Sequence, residues 1–385
     1  MGSHHCMSSG GAPTGPAMSA RHALLACRVL VALLVSVFCL AASERALAGP
    51  QEVTRHAKVE LLRSFGRTFG GPSQLLILGS SRAMRADPAV WKKTLHVRAF
   101  NAAVSSGTAL DAYAFTRLLA SDYPDARCAV VWFLDIETMR LGADPPYVRS
   151  VPALRRFLPR AALRKPHGTS RVSRRDLAGG ALPGHSTMRP HLRANGALVW
   201  WWHDWQRAHG RTTANGVRFQ MRQYAQIYGG AGSYHISGSA KWYVAQIIKD
   251  ANRRAVVPVI VLPPYHPALR RYVSGRGWKQ AYAQVRRFLT GLEKRYDLRL
   301  LDLTSLSSFG GWPTGFYDGV HPRAALMRSI LRTVAARERG YLQPPPDLPG
   351  LSWMASALAL QTQNAGPSPE LPVLRPGLSL PYSSR

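Results

Sequence analysis

Gln74-Leu-Leu-Ile-Leu-Gly79-Ser80-Ser81-Arg82-Ala83 decides how the rest of the chain is read. Large apolar residues run unbroken from Leu75 to Leu78 and stop at Gly-Ser-Ser, as in a parallel strand buried on both faces. A serine at the carboxyl end of such a strand stands where open α/β sheets hold their ligands.

Val53, Ala57, Leu61, Phe65 and Phe69 fall at four-residue spacing and predict an amphipathic helix over 51–69. Asp87-Pro88 marks the start of another helix, and a second strand is expected over 96–102. Gly107 opens a helix through Leu110, Phe115 and Leu119, and a wholly apolar strand over 128–134 ends at Asp135. Alternation resumes with a helix over 239–253, a strand over 256–262, a helix over 278–296, a strand over 298–303 and a last helix over 323–339. Pro258 argues against a central place for the fourth of these strands.

Five strands alternating with helices predict an α/β fold, a three-layer α/β/α sandwich on a five-stranded parallel sheet, over residues 51–340. Residues 136–237 contain no clean βα unit and are read as a large insertion with some helix inside it. The insertion holds eight Lys/Arg and one acid between Leu154 and Asp176, read as a solvated face. It also holds Trp200-Trp201-Trp202-His203-Asp204-Trp205, read as core before sugar platform. The Pro- and Ser-rich stretch 343–385 is expected to be a disordered tail.

Formal net charge is +30, from 50 Lys+Arg against 20 Asp+Glu, which fits a polyanionic partner or an anionic membrane surface. Residues 1–48 read as a signal peptide or a membrane anchor. Val29 to Ala42 is a charge-free apolar core of h-region length, Arg21 and Arg28 flank it, and Ala46-Leu47-Ala48 offers a cleavage site. The expected location is periplasmic or otherwise extracytoplasmic, anchored to the inner membrane if the leader stays. Of the four cysteines, Cys6, Cys27 and Cys39 lie in or before the leader and only Cys128 follows it. A disulfide within the mature chain is thereby excluded. No His/Asp/Glu set shows metal-ligand spacing, so neither metal nor cofactor is expected.

Near the other end of the chain, Phe316-Tyr317-Asp318-Gly319-Val320-His321-Pro322 places an aspartate and a histidine three residues apart, as one turn presents them to a serine. Together the two segments resemble the SGNH (GDSL-type) hydrolase superfamily over roughly residues 74–135 and 239–340. Ser80 stands where that family has aspartate in its Gly-Asp-Ser block, so Ser81 matches the nucleophile, with Asp318 and His321 completing a Ser-His-Asp triad. The resemblance implies serine acyl transfer, with an oxyanion hole built from backbone N–H groups. Ser81 is one candidate. Asn101-Ala-Ala-Val-Ser105-Ser106-Gly107 lies in the second block's place, where counting points to Ser106 and residue type to Gly107. The third-block asparagine has no match in Phe133-Leu134-Asp135-Ile136-Glu137, a departure shared by a branch that acylates envelope polymers. That branch includes proteins of teichoic acid D-alanylation and alginate O-acetylation, and it works with a membrane-bound O-acyltransferase. Two further residues are candidate substrate contacts: Arg82 for an anionic group, against the plainer reading of a solvated arginine, and His266 in Pro-Pro-Tyr-His-Pro, against a structural loop residue.

The functional expectation is an exported serine esterase or O-acyltransferase acting on an acylated or acidic envelope glycan, with no nucleic-acid partner. A plain esterase or lipase, and an inactive module that binds an anionic polymer, are the alternatives.

Overall fold

The computed structural model describes residues 54–67, 74–124, 128–140, 146–163, 191–199, 212–229 and 234–342. The expected leader (1–48), the expected tail (343–385), the tryptophan cluster and the basic run beyond residue 163 lie outside the described residues. Five strands, β1 (Gln74–Gly79), β2 (Arg98–Asn101), β3 (Cys128–Phe133), β6 (Val259–Leu262) and β7 (Arg299–Asp302), form one sheet in the order β2-β1-β3-β6-β7. Every pair in it is parallel. A separate hairpin joins β4 (His191–Leu192) to β5 (Leu198–Val199).

Both faces of the sheet are covered, which is why its strands are apolar without alternation. Leu76, Leu78, Val130, Trp132 and Ile260 face one core with helices α1 (54–67), α3 (Ala109–Asp122), α5 (Gly238–Asn252) and α7 (Lys279–Glu293). Leu75, Ile77, Val131, Phe133 and Val261 face the other, under α2 (Ala89–Leu95) and α8 (Ala324–Arg337). Helix α3 starts where Thr108 and Asp111 close a capping box. Cys128 is buried, and burial pushes its thiol up to about 12, leaving it an inert core residue.

One expectation needs correction. Strand β6 is central, paired with both β3 and β7. Pro258 sits one residue before it, where its carbonyl accepts the Arg299 N–H (2.9 Å) and its missing N–H breaks no ladder bond. The stretch expected to be an insertion also contributes to the main core. Helix α4 (Thr213–Tyr228) is capped by Thr212, whose side chain accepts the Asn215 N–H, and packs on α6 (Pro267–Val273). Val148, Val151, Leu154, Val217 and Tyr228 all join the first core. Among the described residues no helix is long and apolar enough to cross a membrane.

In this strand order the chain moves outward from β1 to β2 and then, through β3, in the opposite direction. The reversal between β1 and β3 opens a crevice at their carboxyl ends. The Gly-Ser-Ser turn lies at that point.

Candidate functional site

Gly79 ends β1 at φ 151°, and a Cβ there would stand 2.9 Å from the Ala83 Cβ and 3.0 Å from the Phe133 carbonyl. Only glycine lets the chain turn this close to β3. The next residue, Ser80, points inward and is buried, its hydroxyl donating to the Asp135 carboxylate at the end of β3. Its carbonyl accepts the Ala83 N–H (3.0 Å) and closes the turn, which leaves the half-buried Ser81 on the outer side.

The turn is secured from below by Asn101. Its Nδ2 lies 2.9, 3.1 and 2.8 Å from the carbonyls of Ala83, Met84 and Ala86. The Asn101 carbonyl and Oδ1 in turn accept from the buried Lys58 ammonium (2.6 and 3.3 Å), whose pKa burial pulls well below its ordinary value.

The second segment folds as a tight turn around its own aspartate. Asp318 Oδ1 accepts the backbone N–H groups of Val320 (2.8 Å) and His321 (2.9 Å), and the Tyr317 N–H donates to the His321 carbonyl (2.9 Å). Asp318 Oδ2 lies 2.8 Å from His321 Nδ1, and His321 Nε2 lies 2.9 Å from Ser81 Oγ. A carboxylate accepts only, so Nδ1 carries the imidazole proton and Nε2 is left to accept from the serine hydroxyl. Burial works against the Asp318 charge, but His321 and the two backbone donors outweigh it and hold the carboxyl far below the usual range.

Helix α4 backs this turn. Gln220 Nε2 approaches Asp318 Oδ2 (3.4 Å), and Gly216 lies so close that a Cβ would stand 2.9 Å from the Asp318 Cβ. Arg323 ties the same loop to the helix, donating to the Phe316 carbonyl (2.9 Å) and the Thr213 hydroxyl (3.2 Å). None of the α4 contacts was anticipated. The available signal was Thr-Thr-Ala-Asn ahead of Val217, Met221 and Tyr224, a capped start followed by helical spacing.

Of the candidate oxyanion donors, Ser81 and Ser106 have N–H groups without an acceptor among the described residues. The Gly107 N–H already donates to the Val104 carbonyl (3.0 Å), so that candidate is withdrawn. Gly107 serves packing instead: a Cβ there would stand 2.4 Å from the Gly79 carbonyl. Ser106 is exposed, at φ 51°.

Arg82 is neither solvated nor placed to meet a substrate. It is 3% exposed, lies 3.4 Å from Asp135 and 3.6 Å from Glu137, and donates to the carbonyls of Pro263 (3.1 Å) and Pro264. Its guanidinium stacks 4.2 Å from the Tyr265 ring centroid. Burial disfavours its charge, yet the two carboxylates restore it. Arg82 thus ties the serine turn to the ends of β3 and β6. Tyr228 and Tyr265 complete this buried network, each donating to Glu137 Oε1 at 2.6 Å.

His266 stands beside the triad-like line, outside it. Its Nδ1 accepts the Ala268 N–H (3.2 Å) to cap α6, and its backbone N–H donates to the Gly319 carbonyl (2.9 Å). Burial lowers its pKa, with Asp318 opposing. It borders a cavity of about 580 Å³ shared with Met221, Pro313 and Arg323.

Asp135 stands at the end of the third strand, inside the block that lacks the family asparagine. It closes β3 directly beneath the serine turn, and burial pushes its carboxyl up to about 6, Glu137 adding to the effect while Arg82, Ser80 and His321 oppose it. No group of three His, Cys, Asp or Glu among the described residues has the arrangement to hold a metal ion. In comparisons with known proteins, no family model matches the chain, and none of the curated proteins searched matches it.

Proposed function

We propose that this protein is an SGNH-type serine esterase or O-acyltransferase, exported by its leader, that acts on an ester-linked acyl group of an envelope glycan. The observation that carries the proposal is the hydrogen-bonded line Ser81 Oγ–His321–Asp318, assembled from opposite ends of the chain at the switch point of the sheet. Its tautomer is the one a general base requires. In the proposed cycle His321 Nε2 takes the hydroxyl proton as Ser81 Oγ attacks the ester carbonyl. Asp318 stabilises the imidazolium so formed. The N–H groups of Ser81 and Ser106 receive the developing oxyanion, each such donor contributing about 10²–10³ in rate in comparable sites. His321 then returns the proton to the departing alkoxide, leaving an acyl-serine. Water or a glycan hydroxyl, deprotonated by the same imidazole, releases the acyl group and regenerates Ser81.

Transfer to a glycan is favoured over hydrolysis by the third block. Where an asparagine side chain donates in the family pattern, this chain places Asp135, whose carboxylate accepts from Ser80. A hole short of one donor turns over slowly in water, and a bound acceptor offsets that by proximity. A membrane-bound O-acyltransferase as the source of the acyl group belongs to the same proposal.

The test uses a membrane-impermeant fluorophosphonate on intact spheroplasts that express the full chain. The expected result is covalent labelling of Ser81, abolished in Ser81→Ala protein that retains its fold. Labelling of Ser81→Ala as strong as that of wild type would sink the nucleophile assignment. Labelling confined to lysates would sink the extracytoplasmic location alone.

A further inference from the structure

The segments that follow β6 and β7 enclose a cleft of about 590 Å³ on the same edge of the sheet as Ser81. Arg270, Arg271 and Lys279 line it on one side, and Thr304, Ser305 and Ser307 on the other. No acidic residue lines it. Elsewhere among the described residues several acids are matched to arginines, as in Arg55–Asp111 and Arg299–Glu338. None of these three cations has an ion-pair partner among the described residues.

Local structure holds the cations together. Between α6 and α7 the backbone leaves helical geometry at Arg276 and Gly277. Gly277 adopts φ 100°, and a Cβ there would stand 2.7 Å from the Tyr228 carbonyl, so the break is built in. That break sets Lys279, at the start of α7, on the same cleft as Arg271 near the end of α6. Arg270 is braced by the Thr304 carbonyl (3.3 Å) and by the Trp278 ring (5.3 Å), which leaves its other N–H donors without a protein acceptor among the described residues. The Ser305 and Ser307 hydroxyls, 2.9 Å apart, add neutral donors opposite. Three cations without an acid partner among the described residues, with hydroxyls in the same concavity, suit an oxyanion through charge-assisted bonds.

Tyr265 links this cleft to the serine turn. It contributes to the cleft wall and carries the Arg82 guanidinium on its ring. The cleft lies between the segments after β6 and β7, so along the sheet edge it stands two to three strand spacings from β1, about 10–14 Å.

We infer that the cleft between Arg270, Arg271, Lys279 and Ser305–Ser307 binds carboxylate or phosphate groups of a polyanionic chain and holds that chain along the sheet edge toward Ser81. Its role as an acceptor subsite rests on the acyl-transfer proposal above. Its capacity to bind oxyanions does not.

The experiment measures binding directly, on the full chain, by calorimetry. Three probes are titrated: an oligogalacturonate decamer, its methyl ester, and poly(glycerol phosphate). Both anionic probes are expected to bind with affinity that falls as salt rises, and the methyl ester is not. The tighter anionic probe names the source of the oxyanion. Arg271→Glu with Lys279→Glu, both exposed positions, should weaken the anionic probes roughly tenfold or more with melting temperature little changed. Reversal of Arg155 and Arg160, on the other described basic segment, should leave the affinity intact. Equal affinity of wild type and the Arg271/Lys279 variant, or equal binding of the methyl ester, overturns the inference. Because binding needs no turnover, loss of binding with intact Ser81 labelling rejects the cleft alone. Binding without labelling rejects the catalytic proposal alone.

Discussion

Gly216→Ala tests whether helix α4 sets the position of Asp318. The added methyl carbon would stand 2.9 Å from the Asp318 Cβ and 3.2 Å from both the Asp318 Cα and the Tyr317 carbonyl oxygen. Carbon atoms rest at about 3.5–4.0 Å, so helix and turn must part by roughly half an ångström or more. Asp318 cannot follow freely. Its Oδ1 is held by two backbone N–H groups and its Oδ2 by His321. The stability terms oppose each other: alanine gains about 1 kcal/mol of helix propensity over glycine, and overpacking costs about 1–3 kcal/mol. Net destabilisation is therefore about 2 kcal/mol at most. Reactivity has no such compensation. A misplacement of about 1 Å costs on the order of 10² in rate, so about half that displacement predicts a fall near tenfold in fluorophosphonate labelling rate and in kcat/KM on an activated ester. Gly238→Ala is the control, because a Cβ there meets nothing within 4 Å. In an Asp318→Asn background, Gly216→Ala should add little, since both changes act through one group. Wild-type reactivity in folded Gly216→Ala protein would refute the role given to α4, as would full additivity with Asp318→Asn.

Asp318→Asn should retain the turn, because Oδ1 still accepts from Val320 and His321, but present an N–H to His321 Nδ1 and favour the wrong tautomer. Activity on an activated ester should fall by on the order of 10⁴ with melting temperature near that of wild type, and a loss under tenfold would remove Asp318 from the machinery. Asp135 governs a pH dependence of stability. Its folded-state carboxyl is raised to about 6, by burial first and with Glu137 adding, while Arg82, Ser80 and His321 oppose. A raised acid contributes stability that is complete below its unfolded pKa and lost as pH rises through about 6. Denaturant unfolding should therefore show the stability of Asp135→Asn gaining on wild type by on the order of 2 kcal/mol from pH 4 to pH 7.5, and a constant difference would contradict the assignment. Asp318 has the opposite sign: its stabilisation is present above the unfolded carboxylate pKa and is lost only as pH falls through its depressed value.

What was legible in the sequence followed from local causes. Leu75 to Leu78 read as a doubly covered strand because burial on both faces removes polar residues from the sequence itself. Asp318 and His321 read as one unit because the turn joining them is only three residues long. The misreadings share a different cause, since each depends on which strand lies beside which. Arg82, taken alone, is a polar residue after a polar turn, and its burial follows from Asp135 and Glu137 more than fifty residues away. That pairing exists only because β3 lies against β1. Pro258 misled in the opposite direction, because one residue of register separates a broken ladder from an intact one. The Gly107 candidate failed for a similar reason: residue type records where glycine is required, and here the requirement is the close approach to Gly79, not an open N–H. Helix α4 was obscured because its apolar stripe alternates with Arg218, Gln220, Arg222 and Gln223, so its inner face has meaning only once the Asp318 turn is set against it. At this site, then, the groups proposed to react are set by short motifs, and the groups that hold them in place are set by the order of the strands.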